Sequence, residues 1–187
     1  MNEKTDYVQR LGLLKSGKPR LVIRRSLNNF HIQIIKNDSN GDKTVVETFS
    51  KALIKYGWKG HPGNVSAGYL TGYVAGLNAR KQNIKEAIVD LGLQTSVKGS
   101  SLYAAALGAK DAGISINIGK EILPHIDRIS GKHIANYASS LKAHQDRYKK
   151  QFSAYLKRGL NPEDVSRHFE EVKRHIENEL RVEKAKA

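Results

Sequence analysis

The sequence predicts an α/β fold: a mixed β-sheet covered by helices, with a helical C-terminal extension. Three observations predict it. Between Arg20 and Phe49, apolar and polar side chains alternate with period two in three runs separated by turn residues, the pattern of an antiparallel meander. Glu86–Leu91, the alanine-rich Ser101–Ala112 and the alternating Ile114, Ile116 and Ile118 read as a strand-helix-strand unit, whose crossover is expected to be parallel and right-handed. Beyond Lys120 the period shifts to that of amphipathic helices, Ile134–Arg158 and Pro162 to about Val182. The expected division is a basic N-terminal arm at 1–19, an α/β core at 20–119 and the helical extension at 120–187.

Each element has a local reason. Thr5 and Asp6 are N-cap residue types, and Tyr7, Val8, Leu11 and Leu14 then recur at helical spacing until Ser16-Gly17. Lys18-Pro19 is a linker, because proline biases the preceding residue towards extended backbone. In Arg20–Ser26, Leu21 and Ile23 alternate with Arg20, Val22 and Arg24, which predicts a half-buried strand with a partly basic outer face. Leu27-Asn28-Asn29 is turn chemistry before the second strand, in which Phe30, Ile32 and Ile34 alternate with His31 and Gln33. Asn37–Asp42 turns into Lys43–Phe49. The Gly57–Asn64 segment is too rich in glycine and proline for a regular element, and Asn64 suits the cap of the next helix. In that helix Gly68, Gly72 and Gly76 stand four apart, a smooth ridge for close packing. Asn161, Pro162, Glu163 and Asp164 form a helix start: cap, proline at the first position, acids at the positive end of the dipole.

Composition narrows the function. The chain has 187 residues and no cysteine, so a core is within reach without staples, and disulfides, thiolate metal sites and cysteine nucleophiles are excluded. Charges between Met1 and Arg10 replace the apolar centre of a secretory signal, and no apolar run approaches the length of a membrane span. The expectation is a soluble, cytoplasmic protein with no membrane partner. The 32 Lys+Arg against 18 Asp+Glu give a net charge of +14 and a pI near 9.9, a surplus that repels itself unless a polyanion offsets it. This charge is regional. Residues 1–36 hold eight basic and two acidic side chains, 51–85 hold six and none, and 120–150 hold seven and three. An acid-free stretch between Glu47 and Glu86 is what a binding surface would show and an evenly solvated one would not.

Three basic constellations follow. The first joins Lys15, Lys18, Arg20, Arg24 and Arg25 to Asn28, Asn29, His31 and Gln33. Phosphate oxygens need flexible or forked cations, whereas unpaired bases and ribose hydroxyls need amides, and a strand face offers both in alternate positions. The second gathers Lys51, Lys55, Tyr56, Trp58, Lys59 and His61. Trp58 suits stacking on a base, and it suits equally a place in the core; Tyr69 and Tyr73 read as core. The third is Lys132 with His133, then Lys142, Arg147, Lys149 and Lys150, either a phosphate-binding helix or a solvated face.

Catalytic readings fare poorly. The histidines show no metal-ligand spacing, and His168 and His175 share a helix face without a third ligand. Val97-Lys98-Gly99-Ser100-Ser101 has its residues in the wrong order for a P-loop, and no dinucleotide fingerprint follows a strand. Asp38, Asp90 and Asp111 would be the acids of a nuclease, but nothing in the sequence places them together. The residues therefore favour an RNA-binding protein that is not an enzyme and carries no cofactor or metal, over the alternative of a nuclease.

The run Thr5-Asp6-Tyr7, then Arg10 to Ser26 (RLGLLKSGKPRLVIRRS), resembles the start of the archaeal and eukaryotic branch of universal large-subunit ribosomal protein eighteen. Ala67–Gly72, Glu86–Leu93, Arg128–Ala138, Lys157–Leu160 and Pro162-Glu163 resemble later landmarks in the same order. The resemblance implies a mixed sheet related to ribonuclease H-like folds without their catalytic carboxylates. It also implies a protein of the central protuberance that binds 5S ribosomal RNA, touches large-subunit ribosomal RNA and adjoins neighbouring ribosomal proteins; the alternative is a non-ribosomal RNA-binding module and, behind it, a nuclease. Family contacts map onto Arg10, Lys15, Lys18, Arg20, Arg24, Arg25, Asn28 and Asn29. To these the constellations add His31, Gln33, Lys55, Trp58, Lys59, His61, Lys132 and His133 as expected RNA-binding residues. Many members carry an arginine-rich extension ahead of the Thr-Asp-Tyr start, where this sequence has Met1–Lys4, so that extension's contacts are not carried over.

Overall fold

Asp6 begins the first helix as the sequence expects: its carboxylate accepts the Gln9 N–H at 2.9 Å, and α1 runs Tyr7–Lys15 before Gly17 ends it at φ +66°. This is seen in a computed structural model that describes residues 5–185, with side chains as far as Leu180; Met1–Lys4 of the arm and the last two residues lie outside it. Three strands follow, β1 (Arg20–Arg25), β2 (Phe30–Asp38) and β3 (Gly41–Phe49), and β4 (Ile88–Asp90) joins later, giving the order β3-β2-β1-β4. The β1–β2 and β2–β3 pairs are antiparallel and β1–β4 is parallel, so the sheet is mixed.

One sheet face is the core. Leu21, Ile23, Phe30, Ile32, Ile34 and Val46 are buried there under α2 (Val65–Lys81) and α3 (Ser101–Asp111). The glycine ridge of α2 lies where α3 crosses. A Cβ on Gly72 would stand 1.9 Å from the Ala105 carbonyl oxygen, and one on Gly76 would stand 2.8 Å from that of Ala109. The two backbones touch, so the conformational cost of these glycines is returned as close packing.

Two expectations need correction. Ile114, Ile116 and Ile118 are buried as their alternation requires, yet they do not form a strand: only Ser115 exchanges backbone hydrogen bonds, with Lys85 and Ala87, in a single parallel bridge to Glu86. Alternation records which side chains enter the core, not whether the backbone finds a ladder. The expected Ile134–Arg158 helix is broken into α5 (Lys132–Leu141), α6 (Gln145–Gln151) and α7 (Ser153–Lys157), after a short α4 (Ile126–Ile129). Ser139 and Ser140 donate their hydroxyls back to the carbonyls of Ala135 and Tyr137, weakening the helix end, and the turn lets Phe152 pack on Ala138 and Leu141. A 3-10 turn at Pro162–Asp164 leads into α8 (Val165–Ala185), whose Val165, Phe169, Val172, Ile176 and Leu180 are buried, the last four in one cluster with Tyr69, Leu70 and Tyr73 of α2.

Candidate nucleic-acid interface

The face of the sheet away from α2 and α3 carries Arg20, Arg24, His31 and Gln33 of the first constellation. Strand parity puts Arg20, Val22 and Arg24 of β1 on this face, and the register sets Arg24 opposite His31 and His31 opposite Phe49. The three side chains form one row across the sheet. The His31 ring stacks on Phe49 with centroids 4.0 Å apart and planes 8° apart, and Phe49 remains 45% exposed. His31 Nε2 and Gln33 Nε2 both reach Glu47 Oε1, at 2.6 and 2.9 Å, which fixes the ring's orientation. A recess of about 400 Å³ opens beside the platform, bounded by Arg24, Arg25, Asn29 and Lys51. An aromatic surface rimmed with cations can receive an unpaired base with its phosphates on the rim.

The other end of the same face is closed by ion pairs. Asp90 accepts from Arg20 Nη1 at 2.8 Å and Arg24 Nη2 at 2.9 Å, and Asp42 accepts from Arg20 Nη2 at 2.5 Å and Arg10 Nη2 at 2.7 Å. Burial alone would raise the Asp90 pKa, but the Arg24 and Arg20 guanidinium groups and the Gly92 N–H outweigh it and hold the carboxyl below its ordinary value. Lys18 pairs with Glu86 at 2.6 Å. Lys15 stays exposed at the end of α1.

Two of the expected RNA-binding residues are buried in this structure. Arg20 is only 5% exposed, because both faces of the strand are covered at this end and both terminal nitrogens are held by carboxylates; it ties β1 to Asp42 of β3 and Asp90 of β4. Trp58 is 4% exposed and stacks on His168 at 5.3 Å, so the core reading holds. The helix face shared by His168 and His175 serves the same packing: His168 Nε2 accepts the Lys59 N–H and His175 Nδ1 lies 3.2 Å from the Tyr56 carbonyl. Burial pushes the His168 pKa below its ordinary value.

The remaining expected residues separate into those near the platform and those away from it. Asn28 and Asn29 form the tight turn between β1 and β2, where Ser26 and Asn29 exchange hydrogen bonds. The loop with Lys59 and His61 lies against that turn, and His61 Nδ1 accepts the Gly63 N–H at 3.0 Å. Burial, with Arg158 and Arg25 nearby, lowers the His61 pKa. Lys55 stands apart, 4.6 Å above the Tyr56 ring and 3.6 Å from Glu179. Lys132 is 3.6 Å from Asp127, and His133 is half-buried with its pKa lowered, chiefly by burial. The sequence did not single out Phe49, whose role appears only once the register pairs it with His31, nor Arg128, which lies beside His133 in a second cleft with Arg25.

The nuclease acids are scattered. Asp38 accepts from Ser39 in a hairpin turn, Asp90 is held by arginines, and Asp111 accepts from the Tyr69 hydroxyl. Among the described residues no group of three or more His, Asp or Glu side chains is placed to hold a metal ion, and no helix is long and apolar enough to cross a membrane.

A mixed sheet with one face packed under helices and an aromatic recess bordered by Arg24, Arg25 and Lys51 on the other is a basic surface of the kind that polyanions bind. Comparison with known proteins gives the kind. A family model described as ribosomal large subunit proteins 60S L5 and 50S L18 matches residues 2–87. Large ribosomal subunit protein uL18 of Methanococcus maripaludis is 52% identical over 175 residues, which covers 94% of this chain and 91% of that protein. The chain belongs to the archaeal and eukaryotic uL18 family, a family of ribosomal structural proteins and not of enzymes.

Proposed function

We propose that this protein is a structural constituent of the large ribosomal subunit that binds 5S ribosomal RNA and helps attach it to the large-subunit ribosomal RNA in the central protuberance. The single observation that carries the reading is the 52% identity to a large-subunit protein across nearly the whole chain. The regional charge and the open platform agree with it. In this reading the arm, 1–19, and the core, 20–119, hold RNA, while the helices of 120–187 brace the core and adjoin neighbouring ribosomal proteins. The setting is the cytoplasmic ribosome.

The mechanism is charge neutralisation with recognition of shape and unpaired bases, and no bond is made or broken. Lys15, Arg25 and Lys51 meet phosphates; Asn28, Asn29, His31 and Gln33 meet sugars and bases beside Phe49, with Arg24 held on Asp90 at its border. Lys59, His61, Lys132 and His133 extend the surface around the Arg25 corner.

A gel-shift titration with 5S RNA and with an unrelated RNA of equal length tests the reading. Tighter binding of 5S RNA at moderate salt is expected, and equal affinities for the two would overturn the specific assignment. Incubation with RNA and magnesium is expected to leave the RNA whole, whereas metal-dependent cleavage would overturn the non-enzyme reading.

A further inference from the structure

Arg25 is the corner between two recesses. On its far side from Phe49 lies a cleft of about 340 Å³ lined by the first turns of three helices: Val65 and Ser66 of α2, Ser101 of α3, and His133 and Ile134 of α5. Helices of 17, 11 and 10 residues thus turn their positive ends to one space. The α2 end is capped by Asn64, but neither Ser100 at the start of α3 nor Gly131 at the start of α5 supplies a side-chain cap. No cap side chain therefore satisfies the first N–H groups of α3 or α5.

A second observation is independent of the helix ends. Ser101 is 6% exposed, and among the described residues its Oγ finds no hydrogen-bond partner; the Ser100 Oγ beside it is also buried and without one there. A buried hydroxyl without a partner is a cost that a bound acceptor removes. The cleft lining contains no acid, and it contains two arginines, Arg25 and Arg128, that make no ion pair among the described residues. Asp127, the nearest acid in sequence, lies within 3.6 Å of Lys132 and 3.7 Å of His125 instead. Donors from two uncapped helix ends, two forked cations and no carboxylate describe a site for a tetrahedral anion.

We propose that this cleft binds one phosphodiester group of the RNA backbone, with Arg128 and Arg25 on its non-bridging oxygens and the Ser101 hydroxyl and the α3 and α5 N–H groups completing the cradle. The inference deepens the proposed function and rests on it. It adds a phosphate clamp, assembled from residues 25, 101 and 128, that joins the sheet platform to the start of the helical extension. A strand passing over Phe49 continues past Arg25 into the cleft.

The test measures affinity against salt for the full chain and for Arg128→Gln and Ser101→Ala, with 5S RNA and with an unrelated RNA of equal length. Loss of one phosphate contact is expected to lower affinity roughly tenfold and to make the slope of log affinity against log salt shallower by about one in Arg128→Gln, on either RNA. Ser101→Ala is expected to bind more weakly while melting no lower than the parent, since it removes a buried hydroxyl that lacks a partner. If Arg128→Gln keeps the parental slope and affinity while 5S RNA is still preferred, the clamp is wrong and the proposed function stands. If the slope becomes shallower equally on two RNAs bound with equal affinity, the clamp stands and the 5S assignment fails. Unchanged RNA affinity in Ser101→Ala would remove the hydroxyl from the cradle.

Discussion

Arg24 and Arg25 are adjacent in sequence and end the same strand, yet the sheet gives them opposite tasks. Arg24 lies on the outer face above Asp90, and its guanidinium donates to that residue's carboxylate and backbone carbonyl. Arg25, one residue on, turns to the other side and stands 5.9 Å from the centre of the Phe30 ring, facing solvent between the two recesses. The difference extends to whole regions. Where the arm meets the sheet, Asp42 and Asp90 neutralise three arginines and the charge holds the fold together. Around Arg25, Lys51 and Arg128 the lining is without acids and the charge is available to a partner. A basic residue in this chain is thus assigned to architecture or to binding by whether the pleat delivers it to a carboxylate.

The comparison can be broken most sharply at Asp90. Asp90→Ala leaves the buried Arg20 charge without its inner partner, and a loss of about 3–5 kcal/mol is expected in chemical denaturation. A loss under about 1 kcal/mol would mean that solvent reaches Arg20 and that the network is not structural. Next come the paired arginines. Arg24→Ala is expected to cost about 1.5–3 kcal/mol of stability through its charged hydrogen bonds, whereas Arg25→Ala should stay within about 0.5 kcal/mol and weaken RNA binding instead. Equal melting temperatures for the two variants would erase the distinction.

Phe49→Ala sharpens the binding half. Removing the stacking surface should weaken RNA affinity by an amount in the lower part of the roughly 1–3 kcal/mol expected per stacked base, with only a small change in melting because the ring is half exposed. The smallest effect is with pH. His61, His133 and His168 are held neutral by burial, with folded pKa values below the ordinary 6.5. The unfolded chain therefore takes up protons first as pH falls below about 6.5, so this contribution to stability is present above that value and lost on acidification. A melting temperature flat from pH 7.5 to 5.5 would contradict it, and His168→Gln should reduce the slope.

Much of this was legible in the sequence, for identifiable reasons. Short-range signals were reliable where one side chain answers one backbone group: Asp6 and Asn64 cap the helices they were expected to cap, and Gly68, Gly72 and Gly76 face a helix that needs their smoothness. Periodicity gave burial correctly at Ile114, Ile116 and Ile118 but overstated the ladder, since side-chain parity says nothing of a backbone partner. It also joined three short helices into one, because the turn before α6 depends on Phe152 packing back onto Leu141. The site was half legible. Clustering of Arg24, Arg25, Asn29 and His31 followed from adjacency, whereas the burial of Arg20, the Phe49 platform and the Arg128 cleft all depend on contacts between residues distant in sequence, at 20 and 90, 31 and 49, 25 and 128. No pattern within one segment encodes such pairings.

The central claim is that the cations not held by buried carboxylates are the ones that meet RNA. Hydroxyl-radical footprinting of the protein, free and bound to 5S RNA, tests it directly. Protection is expected at Arg25, Phe49, Lys51 and Arg128, with no change at Arg20 or at the exposed Arg167 of α8. Protection concentrated on α8, with Phe49 and Arg128 as reactive in the complex as in the free protein, would contradict it.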